Sequence, residues 1–449
     1  MSDPPPSETT VKGRRKRMRP EETGLHRVGY LALLRNNRPI RNLIFANFVS
    51  GVGDWFNWIA VLIVLTRTSG SYNVLGAIVI LHTGLPVLLA PLAGFAADRY
   101  DRRALLVFCD FLRVGVVLGL VVASHLDSTV LIWALVFVQY SVAAFYVPAG
   151  EALIPRLAEG AELKTANALY VTAITGAAAL GSALGGATEA AVGADAAFVV
   201  DALTFVTSGL LVLRIVVPPP RVEPAGREPV SGTTTTGVWG QVRREPRLGA
   251  SFLAVVSISI PAGLLWLAVV ALGQHVTPLG ADGAISIGIL NAATFIGGMI
   301  GSMAFNDWFA GTTDLDHARG CRRLVAMRFA ALLAIAALPA VIGVVGLRVG
   351  FGLAIIVLGC FSLPGGALWV AASSFAQTYA PDGLRGRVFA ILNALWTGGQ
   401  ALSILLATRA VDAGASLATV CLVIAGIMAL LAAVWTIYIA RWPAWSQRA

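Results

Sequence analysis

Twelve apolar runs, each about as long as a bilayer is thick, constrain this chain more than any other feature. Crossing hydrocarbon takes about 20 mostly apolar residues at ~1.5 Å rise each, and such runs fill the sequence from 41–66 to 415–440 between charged or turn-rich breaks. Lipid offers no partner for backbone N–H and C=O groups, so each run has to be a helix. Charged residues make up 13% of the 449, and mean hydropathy is +0.77. Soluble domains carry roughly twice that charged share, so a water-soluble enzyme is excluded. The 47 glycines suit helices packed backbone to backbone.

Charge placement predicts sidedness. Numbering the runs as spans in chain order, all Lys and Arg fall at one face except Arg67, Arg348 and Arg409 at the other, and Arg113 and Arg328 inside spans. Lys and Arg gather on the cytoplasmic side, so both termini are expected there. A net charge of +9 is thereby explained without nucleic acid. Residues 1–38, basic and rich in proline, are expected to be a disordered cytoplasmic tail, with 441–449 a second tail. A linker at 218–246, rich in Pro, Gly and Thr, separates a six-helix half at 39–217 from another at 247–440. Two such halves are the organisation of a transporter built from repeats, with its site near the midplane between them.

The turn between spans 2 and 3 reads Gly94, then Asp98-Arg99, then Arg102-Arg103. The spacing GxxxDRxxRR resembles the signature loop of the major facilitator superfamily at every specified position. Gly94 would let span 2 approach a neighbour closely. The resemblance implies that Asp98 pairs with Arg387 or Arg385 at the start of span 11, latching the halves when the outside is open. The equivalent loop of the second half keeps Asp307 and Arg322-Arg323 but lacks the DR step.

Further segments are similar to the branch containing the enterobactin exporter and the macrolide efflux proteins. They are Ser50 to Asp54, Val147 to Leu157, Ala166 to Leu169, and Leu384 to Phe389. The resemblance extends over residues 35 to 440. It implies an all-α membrane protein of the major facilitator fold, with twelve transmembrane helices in two pseudo-symmetric halves. It also implies a monomer that exports small organic molecules, such as drugs, antibiotics or siderophores, by proton antiport. In span 5, Gly181, Ser182, Gly185 and Gly186 are similar to the antiporter motif GPxxGG with serine in place of proline. Generic small-residue packing accounts for the same pattern equally well.

An ionisable group in hydrocarbon costs at least ~2.5 kcal/mol on insertion scales, so each one asks for a partner or a role. Asp54 lies roughly 20 Å into span 1 at the standard helical rise, near the bilayer centre, and is the first proton-carrier candidate. Asp201 and His82 are further candidates, Glu189 sits near the outer end of span 5, and Asp110 and Arg113, one turn apart, are expected to pair. The spans of the second half carry no mid-membrane carboxylate, which assigns coupling to the first. Trp55, Asn57, Gln139, Tyr140, Trp266, Asn291, Trp369, Asn393, Trp396 and Gln400 are candidates to line a cavity for an amphipathic ligand.

No phosphate-binding loop, nucleophile elbow or metal-ligand spacing occurs. Neither cofactor nor metal is expected, and Cys109, Cys321, Cys360 and Cys421 read as free thiols. The expected function is export of a small hydrophobic or amphipathic compound across a bacterial plasma membrane. The alternatives are a lysophospholipid or other lipid transporter, which predicts a lateral apolar opening, and a non-transporting membrane sensor.

Overall fold

The computed structural model of the chain describes residues 29–69, 71–218, 236–309 and 313–446. These residues are helical almost throughout. A short helix α1 (Tyr30–Asn36) precedes α2 (Arg38–Ser69), α3 (Asn73–Arg99), α4 (Arg102–His125), α5 (Thr129–Leu157), α6 (Gly160–Val192) and α7 (Ala194–Leu213). After a second short helix, α8 (Thr236–Arg244), come α9 (Pro246–Ala271), α10 (Ala284–Phe309), α11 (Asp314–Val345), α12 (Leu347–Tyr379), α13 (Asp382–Asp412) and α14 (Leu417–Ser446). The twelve long helices match the twelve expected spans, and each is long and apolar enough to cross a membrane.

Local chemistry sets the helix ends. Asp101 caps α4 by accepting from the Ala104 N–H at 2.7 Å, and Thr313 with Asp316 forms a capping box at the start of α11. Gly193 and Gly346, at φ of +84° and +83°, turn α6 into α7 and α11 into α12 where a side chain would be strained.

Two segments differ from expectation. Within the tail expected to be disordered, Tyr30–Asn36 is helical because Leu33 is fully buried against the first half. Asn37 then ties the chain to the end of α5, donating to the Leu157 carbonyl at 2.9 Å. In the linker, α8 sets Trp239 against the Phe252 ring at 6.0 Å. Residues 1–28 and 219–235 lie outside the described residues.

Each half packs on its own pattern. In the first, α2 lies against α6 and α7, α4 against α5 and α7, and α3 against α5; in the second, α9 lies against α12 and α13, α11 against α12 and α14, and α10 against α12. Contacts between halves run chiefly through α6 with α10 and α3 with α13. The space they enclose is where a ligand path must lie.

Candidate transport path and its gates

The first half carries one charged network below its surface. Arg113 on α4, 1% exposed, reaches across to Asp54 on α2 at 3.5 Å, and the Asp54 side chain remains 41% exposed. The expected pairing within α4 is not made. Asp110 instead accepts from Ser208 on α7 at 2.7 Å, because α4 packs on α7 along that face. Arg113 also lies over the rings of Tyr146 at 4.7 Å and Phe205 at 4.9 Å. Asp201 on α7, wholly buried, accepts from Asn57 at 2.9 Å. Its carboxylate lies where a Cβ on Gly53 would stand, so glycine beside Asp54 is what lets the two acids approach. Three carboxylates are thus gathered in this half with one buried guanidinium, and Asp54 is the one that makes the ion pair.

Next to Asp54 an aromatic cluster crosses between the halves. Trp55 stacks on Trp266 of α9 at 5.9 Å and 7°, and meets Phe295 of α10 edge-on at 4.7 Å. Trp58 packs on Trp266 at 4.8 Å, while His82 sits against Trp55 at 6.2 Å and Tyr140 at 5.1 Å. Sequence reasoning missed Trp58 and Phe295. Trp58 stands three residues after Trp55, on the same helical face, a legible signal, whereas nothing in the sequence sets Phe295 apart. Other cavity candidates scatter. Asn57 is committed to Asp201 and Asn291 to Ser182, and Trp369 pairs with Trp396 at 5.8 Å. Gln139 and Gln400 are buried and Asn393 is exposed.

The small residues of α6 work on two faces. Gly181 and Gly185 fit against the Val52 to Phe56 backbone of α2, whereas Gly186 meets Ala284 and Gly288 of α10, where a Cβ would overlap the Ala284 carbonyl. Ser182 accepts from Asn291 Nδ2 at 3.2 Å. The motif therefore closes one helix of each half together on the face opposite the signature loop.

Polar contacts complete that closure. Arg67 at the end of α2 pairs with Asp282 in the turn before α10 and with Glu189 on α6 at 3.4 Å. Asp412 at the end of α13 accepts from the Tyr72 N–H at 3.0 Å, the Asn73 N–H at 3.2 Å and the Ser71 hydroxyl at 2.5 Å, capping α3 from the other half. Burial and the Asp412 charge push the Tyr72 phenol up to about 12. Among these contacts lies a cavity of about 250 Å³ lined by Thr66, Arg67, Tyr72, His275 and Asp282.

The signature-loop face is different. A Cβ on Gly94 would meet nothing within 4 Å, so the expected close approach is not made in this conformation. The reason is that α3 meets α13 at its other end, where Gly76 lies against Thr408. Arg102 donates to the Ala152 carbonyl at 2.6 Å and Arg103 to carbonyls ending α7, tying the loop to its own half. Arg99 lies over Phe95 at 5.7 Å. Arg385 and Arg387 stand in the first turns of α13, but the side chains of Asp98 and Asp307 lie outside the described residues.

A family model described as Major Facilitator Superfamily matches residues 43–404. BacE of Bacillus subtilis, named as a proposed bacilysin exporter, is 27% identical over 266 residues, 59% of this chain and 65% of that protein, just under two thirds of its length. An uncharacterized MFS-type transporter of the same species, YfiS, is 26% identical over 180 residues, or 40% of this chain and 42% of its own. Among solved structures, the POT family transporter PepTSo superposes with a TM-score of 0.66 at 14% identity over 92% of this chain and 99% of its own. A bacterial homologue of the iron transporter ferroportin gives 0.64 at 18% over 90% and 99%. At those identities the likeness is one of fold. The chain belongs to the Major Facilitator Superfamily, and its described residues form twelve helices long and apolar enough to cross a membrane.

Proposed function

We propose that the protein is a proton-driven exporter of a small amphipathic compound, working by alternating access as a monomer. The observation that carries this reading is the half-exposed Asp54, held by the buried Arg113 beside a pile of aromatic rings shared by both halves. One guanidinium among Asp54, Asp110 and Asp201 leaves two formal negative charges when all three acids are ionised. Uptake of protons neutralises the cluster, and release recharges it, which is what a coupling site must do. The distribution of Lys and Arg supports cytoplasmic termini and linker. The sealed face, with Arg67, Asp282 and Asp412, is then the outer one, and this is the inward-facing state. Opening outward breaks the α6–α10 and α3–α13 contacts and brings Asp98 to Arg385 or Arg387. BacE supports the export direction through the role its name gives it.

A lipid-handling reading has its own observation. A cavity of about 580 Å³ between α9, α13 and α14 is lined by Ile260, Leu402, Leu406, Val423 and Ile427, with little polar surface. Such a slot would take hydrocarbon chains from the bilayer.

The test places purified protein in liposomes with an imposed pH gradient and follows lumenal pH on addition of macrolides, catechol siderophores or lysolipids. Proton movement evoked by one class and lost in Asp54→Asn is expected. Unaltered movement in that variant removes Asp54 from the mechanism. A response to lysolipids alone selects the second reading.

A further inference from the structure

Arg328 on α11 is 2% exposed, inside a membrane span, and none of the described carboxylates pairs with it. Its guanidinium lies over the Phe361 ring of α12 at 4.5 Å, and Nη1 donates to the Ile258 carbonyl of α9 at 3.4 Å. Its Nε has no partner. Room for the group comes from Gly365, where a Cβ would stand 3.1 Å from Nη1. Arg113 occupies the corresponding helix of the other half, and the helix that presents Asp54 to Arg113 corresponds to the one that presents only a backbone carbonyl to Arg328. An uncompensated cation in hydrocarbon is expensive, and here none of the described carboxylates supplies the counter-charge.

We propose that Arg328 binds a carboxylate carried by the transported compound, which supplies in the second half the charge that Asp54 supplies in the first. One guanidinium balances a monoanion, and its fork of N–H donors fits the two oxygens of a carboxylate; a phosphate dianion would require a second cation. Access has a structural basis. Pro364, next to Gly365, removes one backbone hydrogen bond from α12 beside the guanidinium, which makes that point of the helix a place where it can bend. Trp266 is eight residues from Ile258, roughly 12 Å along α9, so the rings, the acid cluster and Arg328 lie within reach of one small molecule. The substrate class is therefore a carboxylate-bearing compound with an apolar body. This rests on reading the space between the halves as the transport path.

The experiment measures binding of L-phenylalanyl-glycyl-glycyl-L-alanine and of its C-terminal amide to the purified full-length protein by calorimetry, without any gradient. At about 3.5 Å per extended residue the tetrapeptide can offer an ammonium for the acids, a ring for the aromatic cluster and a carboxylate for Arg328; the amide removes only the last. The acid is expected to bind at least about tenfold more tightly, the value of a charge-assisted bond. Arg328→Gln should bring the ratio to about one, with part of it retained in Arg328→Lys. Equal affinities in the unsubstituted protein, no binding of the acid at millimolar concentration, or a ratio that survives Arg328→Gln each overturn the proposal. Should Arg328→Gln fail to yield monodisperse protein, the unsubstituted comparison and Arg328→Lys decide. Because no gradient is present, failure here leaves proton-coupled export untouched, and an unaltered flux in Asp54→Asn would defeat export coupling while leaving the acid preference intact.

Discussion

The two halves bury an arginine in matching helices and treat it in opposite ways. In the first, Arg113 faces Asp54 at 3.5 Å, two aromatic rings and, on its own helix, Asp110. In the second, Arg328 has one ring and one backbone carbonyl. The fold is repeated, but the acid is not. Helix packing tolerates either arrangement, since a guanidinium can lie on a ring face in both. The difference is electrostatic, because a network rich in acids exchanges protons while a lone cation waits for an anion.

Removing the charges should have effects of opposite sign, and thermal unfolding of the detergent-solubilised protein reads both. Arg113→Leu strips the ion-pair partner from Asp54, and because that acid is half-exposed the loss should fall below the roughly 3–5 kcal/mol of a fully buried pair. Arg328→Met removes a cation that pairs with none of the described carboxylates, and is expected to be neutral or to stabilise by roughly 1–4 kcal/mol. A large destabilisation by Arg328→Met would show the halves to be equivalent and end the contrast. Gly288→Leu drives a side chain into the Ser182 carbonyl. It should cost roughly 1–3 kcal/mol of packing and raise thiol labelling of a cysteine placed at Ala190, on the sealed face. Ser182→Ala deletes one bond between membrane helices, worth about 0.6 kcal/mol, and should alter that labelling only slightly.

Much of the architecture was legible. Apolar length alone demanded the twelve helices, because unsatisfied backbone is not tolerated in lipid. Asp54 stood out as an acid where acids are expensive. The partner of Arg113 was not legible, for a physical reason. Asp110 is one turn away in sequence, yet α4 turns that carboxylate toward Ser208 on α7 while the longer arginine reaches α2. Likewise GSxxGG announced close packing without saying that its two faces serve different halves. Leu33 and Val238 sat in segments too polar to read as structured, and these single buried side chains hold them.

The sequence by itself determined how many times the chain crosses, where it turns, and which charges the membrane must accommodate, since length, hydropathy and ionisation are local properties. Only the tertiary structure decided which charges meet, which face is sealed by Arg67 with Asp282 and by Asp412, and that none of the described acids pairs with Arg328. Those outcomes depend on helix rotation and on contacts between residues hundreds of positions apart, and no local pattern encodes them.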